Sequence, residues 1–197
     1  MHRDLIASSK WPASVFAIML LALVSLTTAS AQDAASLTAR HVALRPALAH
    51  NSFKRPLHLE SSEASDRLSG DIYARIAQPY AVVGPALRKS GNWCDILILH
   101  LNVKGCHSAH EASRDVLSLH IGRKSDQPLA EASRLDFRFR ILKSTPNYLR
   151  LELDAATGPL GTRAYLMGLE VVQIDDGHSF LHLSYSYAYG LSARIAL

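Results

Sequence analysis

The stretch Trp93-Cys94-Asp95-Ile96-Leu97-Ile98-Leu99-His100-Leu101-Asn102-Val103-Lys104-Gly105-Cys106 decides how this chain folds. Its apolar run fits a buried strand or a buried helix equally well. A strand over 94–103 would set its ends ~30 Å apart, and the three residues left could not bring Cys106 back within the ~4.4–6.8 Å Cα separation that a disulfide allows. A helix from Asn92 to His100 rises only ~12 Å, and Leu101 to Gly105 can return that far. The two cysteines are the only ones in the chain, and an even count at close spacing reads as one disulfide in an oxidising compartment. The alternative is a pair of buried free thiols, each packing as a small apolar group. With the bond formed, residues 92–100 are helix, and Ile96, Leu97 and His100 turn toward the rest of the core.

Downstream of Cys106 the period changes to two. Val116 to Gly122 places Leu117, Leu119 and Ile121 on one face. Arg134 to Leu142 sets Leu135, Phe137, Phe139 and Ile141 against Asp136, Arg138 and Arg140. Tyr148 to Ala155 repeats the pattern, with Leu149, Leu151 and Leu153 opposite Arg150, Glu152 and Asp154. Such alternation marks strands with one wet face. Thr162 to Ile174 and Ser179 to Tyr189 follow as two longer strands, joined by the hairpin turn Asp175-Asp176-Gly177. Short connections make these runs antiparallel neighbours, because a parallel return needs a crossover of about a dozen residues. Upstream, Leu68 to Ala77 reads as a first strand, and Pro79 to Lys89 as a short helix with Tyr80, Val83, Ala86 and Leu87 at helical steps.

The N-terminus has a different character. Met1 to Phe16 carries Arg3 and Lys10 against Asp4, an apolar run covers Ala17 to Leu26, and Ala29-Ser30-Ala31 ends it. That is the form of a secretory signal peptide over 1–31, with an apolar core too short to span ~30 Å of hydrocarbon; the alternative is an uncleaved tether. Residues 32–66, rich in Ala, Ser, His and Arg with Pro46 and Pro56, read as a disordered linker. Setting 1–31 aside leaves 19 basic and 16 acidic side chains, a net charge of +3. The arginines are spread rather than clustered, which argues against nucleic acid as a partner. No later segment is apolar enough to span a membrane, so a periplasmic or secreted location is expected.

The order strand, helix, helix, meander over Leu68 to Leu197, with the local run Gly70-Asp71-Ile72-Tyr73-Ala74-Arg75-Ile76-Ala77-Gln78-Pro79-Tyr80 through Trp93, resembles the helix-grip fold of START-like and SRPBCC proteins. The resemblance implies an α+β fold in 67–197, a curved antiparallel sheet gripping an apolar cavity. Helix-grip proteins close that cavity with a long C-terminal helix. Here only its start follows Gly190, so a truncated C-terminal helix is expected. The runs Trp93 to Leu97, Gly158 to Arg163 and Ser179 to Tyr187 also resemble a family of uncharacterised exported bacterial proteins, which carries no catalytic residue across.

Candidate residues follow. On the last strand Leu181, Leu183, Tyr185, Tyr187 and Tyr189 share one side, and Phe180, His182, Ser184 and Ser186 the other. Tyr185, Tyr187 and Tyr189, with His182 and Trp93, are the expected ligand-binding residues. A tyrosine stripe supplies apolar area and phenol hydrogen bonds, although it serves core packing equally well. His107-Ser108-Ala109-His110-Glu111 has metal-ligand residue types but matches neither zinc-helix pattern, and reads as histidines on a solvated loop. No metal, cofactor or catalytic residue is assigned. Arg138, Arg140, Arg150, Glu152, Arg163 and Glu170 form a solvated, salt-bridged face. The expected function is therefore binding of an apolar small molecule or lipid without catalysis. Two alternatives are a hydrolase- or cyclase-type enzyme using a cavity histidine with a carboxylate partner, and a protein-interaction module.

Overall fold

The computed structural model describes residues 33–190. The expected signal peptide and the expected start of a C-terminal helix lie outside the described residues. In chain order the elements are α1 (Ala34–Ala49), β1 (Leu57–Glu63), β2 (Arg67–Ile76), α2 (Tyr80–Leu87), α3 (Ser90–Leu97), β3 (Val103–Glu111), β4 (Arg114–Ile121), β5 (Ser133–Ser144), β6 (Tyr148–Thr157), β7 (Arg163–Asp175) and β8 (His178–Ala188). The strands form one antiparallel sheet in the order β1-β2-β8-β7-β6-β5-β4-β3. The last strand returns to pair with β2 along its length, from Arg67 opposite Ala188 to Ile76 opposite Ser179. Register shifts in β3, β5 and β7 mark bulges, which bend and twist the strands that carry them. The architecture is α+β, a curved antiparallel sheet in the expected order of strand, two helices and meander.

Residues 90–97 are helical, and Cys94 on α3 is bonded to Cys106 on β3 with Cα atoms 5.2 Å apart. The bond holds α3 against β3, and among the described residues no cysteine is free. Trp93 and Leu97 pack into the core, but Ile96 is 46% exposed and His100 is exposed. Those two side chains do not face the sheet. A helix of about two turns buries only one side, and Trp93 and Leu97 occupy it.

The inner face of the sheet, toward α2 and α3, carries the main core. Leu117, Leu151, Leu153 and Val171 are fully buried there, with Phe137, Phe139 and Leu169 around them. Burial at about 25 cal/mol per Å² of apolar surface makes this layer the chief stabilising element.

Over residues 33–66, the described part of the expected linker, the chain is folded. These residues supply α1 and β1. Asp33 caps α1 by accepting from Ser36 N–H at 2.9 Å, while the Ser36 hydroxyl accepts from Asp33 N–H. Leu37, His41, Leu44 and Leu48 form a buried stripe at helical spacing on α1. It packs on the outer face of the sheet with Tyr73, Tyr148, Val172 and Phe180 as a second core. That stripe is too short to fold alone, and burial against the sheet overrides the polar composition.

Residues 103–111 are likewise not a loop. They form β3, the edge strand of the meander. His107 and His110 lie on opposite faces by strand alternation, and His110 Nδ1 is 2.8 Å from Asp115 Oδ1.

Candidate functional site

The tyrosines of β8 stand on the inner face at one end of the sheet. Tyr165 of β7 stacks on Tyr187, with ring centroids 5.2 Å apart and planes 11° from parallel. Tyr185 lies 5.6 Å from Tyr187 and 6.5 Å from Tyr165. Phe137 meets Tyr165 edge-on at 5.9 Å. Offset and edge-to-face arrangements of this kind add to the apolar area that the rings bury. Gly158 makes room for the wall: a Cβ there would sit 2.5 Å from the Tyr165 ring.

The hydroxyls differ in what they do. Tyr165 donates to Thr162 Oγ1 at 2.6 Å. Tyr189 donates toward Glu63 Oε1 at 2.9 Å and Ala64 O at 3.0 Å, so it ties the end of β8 to the β1–β2 turn. Tyr185 and Tyr187, both half-buried, make no hydroxyl hydrogen bond to any described residue. Burial raises the pKa of both phenols, which keeps them neutral donors at any ordinary pH.

Trp93 is part of the same core but not of this wall. It is 2% exposed, its indole N–H donates to Leu87 O at 2.8 Å, and it meets Phe139 at 6.2 Å. Its one polar group is thereby used to lock α2 to α3.

His182 lies on the opposite face. Residues 182 and 185 differ by an odd number, so the pleat points them apart. Beneath α1, His182 Nε2 is 2.7 Å from Asp71 Oδ1 and Nδ1 is 3.5 Å from Glu170 Oε2. Tyr148 donates its hydroxyl to Glu170 Oε1. Tyr73 stacks on the imidazole at 4.4 Å, and the Arg40 guanidinium of α1 in turn sits over the Tyr73 ring at 4.9 Å while pairing with Glu60 at 2.6 Å. Burial opposes the charging of His182, but hydrogen bonds and charge from Glu170 and Asp71 outweigh it and raise its pKa. Burial likewise opposes ionisation of Glu170, and bonds from His182 and Tyr148 outweigh it and lower its pKa. Glu170 is 6% exposed, so it does not belong to the solvated face expected of it. Three others of that face pair as expected: Arg138 with Asp154 at 2.9 Å, and Arg140 with Glu152 and also with Asp154.

The structure thus brings Tyr185 and Tyr187 together with Tyr165, sets Tyr189 at their edge, and separates them from Trp93 and His182. Sequence reasoning missed Tyr165 and the partners of His182. Glu170 had a signal: it is the one charge in Met167-Gly168-Leu169-Glu170-Val171-Val172, a run apolar on both faces. Among the described residues, no helix is long and apolar enough to cross a membrane.

No protein-family model and no curated protein matches the chain. Solved structures resemble it in outline. The Zhui aromatase/cyclase from Streptomyces sp. R1128 is 13% identical, with 70% of this chain and 73% of that one covered and a TM-score of 0.45. A conserved protein from Geobacillus kaustophilus is 16% identical, with 65% and 79% covered and a TM-score of 0.45. A truncated norcoclaurine synthase from Thalictrum flavum is 10% identical, with 65% and 79% covered and a TM-score of 0.42. Likenesses at this level say nothing about activity.

Proposed function

We propose that the chain is an exported, non-catalytic protein that binds an apolar small molecule or lipid against the inner face of its sheet, in the periplasm or outside the cell. The observation that carries this reading is the wall of Tyr165, Tyr185 and Tyr187, in which two half-buried phenols keep donors that no described residue uses. An apolar body against the rings and one polar atom within reach of a phenol is what such a wall accommodates. Export draws support from the composition of Met1 to Ala31 and from the Cys94–Cys106 bond, which persists in oxidising compartments. Membership of an exported bacterial family rests on the three sequence runs quoted above.

The catalytic alternative needs a histidine with a carboxylate partner open to substrate. His182 has two such partners, but it is 9% exposed beneath α1 and on the other face. Its chemistry serves the packing of α1.

Native mass spectrometry of the purified chain, followed by solvent extraction, tests the proposal. One apolar ligand per chain, lost in the Tyr185→Ala/Tyr187→Ala double variant, is the expected result. A ligand-free protein that also fails to bind added fatty acids, sterols or aromatic hydrocarbons overturns it.

A further inference from the structure

The outer face holds a second feature, two residues further along β2 from Tyr73. A groove of about 330 Å³ opens where the C-terminal half of α1 meets the ends of β2 and β7. Arg45 and Arg75 line it, with His41 behind them. Leu48, Pro56 and Ile174 form its apolar floor. We propose that this groove binds a small organic monoanion, a carboxylate with a short apolar tail.

Neither Arg45 nor Arg75 has an ion-pair partner among the described residues. Arg40, Arg123, Arg134, Arg138 and Arg140 are each paired with a carboxylate, and Arg45 and Arg75 are the guanidinium groups without one that line this groove. The one acid in the wall, Asp175, is engaged already: it accepts from Gly177 N–H at 2.9 Å and lies 2.8 Å from His178 Nδ1. Two guanidinium charges against one carboxylate leave the groove one positive charge, which matches a monoanion better than a phosphate dianion. Guanidinium groups present paired donors that fit a carboxylate in bidentate fashion. His41 is buried against Phe180, with ring centroids 4.9 Å apart. Burial, then the nearby Arg45 and Arg75, lowers its pKa, so at neutral pH it adds hydrogen-bonding capacity without charge. The site is independent of the tyrosine wall, which lies across the sheet.

The test is an NMR titration of the isotopically labelled full chain with hexanoate and, separately, with its neutral analogue hexanamide. Hexanoate should shift the amides of residues 41–49, 75 and 174–175 and saturate. Hexanamide should bind there roughly tenfold more weakly or worse, as expected for loss of a charge-assisted pair. The exposed pair of substitutions Arg45→Gln/Arg75→Gln should weaken hexanoate by a similar factor without changing the melting temperature. Equal binding of acid and amide, unchanged binding in the double variant, or no shift at these residues overturns the proposal. Shifts confined to 183–187 would report the inner-face site and equally overturn this one. The acid–amide comparison needs no variant, so it decides even if the double variant misfolds.

Discussion

His182 shows how a single side chain can be fixed by its neighbours. It lies between Asp71 and Glu170, both within 3.5 Å, and under the ring of Tyr73. Its pKa is raised in the folded state, so the stability it contributes is fully present below the unfolded value of about 6.5 and is lost as pH rises through the folded value. Glu170 works in the other direction: its pKa is lowered, so its contribution is present above about 4.3 and lost as pH falls through the folded value. Stability should therefore be greatest between these two limits and decline toward alkaline pH. Urea unfolding midpoints measured from pH 4 to 9 should trace that rise and fall, and His182→Gln should remove the alkaline decline. A midpoint equal at pH 5.5 and 8.5 in the natural chain would contradict the pairing. Truncation to His182→Ala leaves the buried Glu170 carboxylate without its imidazole partner and should cost about 3–5 kcal/mol.

At the scale of elements, α1 is the one whose role most needs a direct check. Leu44 is 8% exposed in the second core, and Leu44→Ala should destabilise the protein by about 2–5 kcal/mol, read as a fall in the denaturation midpoint. Hydrogen exchange should show the amides of 38–49 protected; exchange at the rate of free chain would restore the disordered reading. The Cys94–Cys106 bond closes a loop with a sequence separation of 12. In the chain-entropy model that is worth about 3 kcal/mol, so reductant should lower the melting temperature by about 6–12 °C. Two reactive thiols per unreduced, unfolded chain would rule the bond out.

These elements also explain what could be read in advance. The strands β4 to β6 were legible because each sets a buried row against solvated charges, which writes alternation into the sequence, whereas β7 and β8, buried in part on both faces, were read from the turns that bound them. The two strands that were not legible, β1 and β3, are the two edges of the sheet. Leu57-His58-Leu59-Glu60-Ser61-Ser62-Glu63 has no fully buried residue, and β3 has only Val103. With little buried, there is no pattern to find. α1 hid for another reason: its buried stripe places His41 among leucines, and Pro46 interrupts it. Proline lacks the N–H that a helix interior uses, yet α1 continues past it because Leu48 docks on the sheet. The site was half legible. Alternation alone put Tyr185 and Tyr187 on one face and His182 on the other, but the pairing of Tyr165 with Tyr187 depends on the bulge between Arg163 and Leu166, which no local pattern announces.

For the whole molecule, the sheet separates two kinds of chemistry. The inner face is apolar and aromatic, with the spare phenols of Tyr185 and Tyr187. The outer face carries charge, buried at His182 and solvated at Arg138 and Arg140, with α1 laid across part of it. Apolar ligand binding belongs to the inner face on this account, and α1 stiffens the sheet from behind. The most direct measurement is a crystal structure of the chain with its co-purified or added apolar ligand. The account predicts ligand density against the rings of Tyr165, Tyr185 and Tyr187, with a polar atom within hydrogen-bond distance of the Tyr185 or Tyr187 hydroxyl. Density elsewhere, or an inner face on which those two hydroxyls bond only to protein, would contradict it.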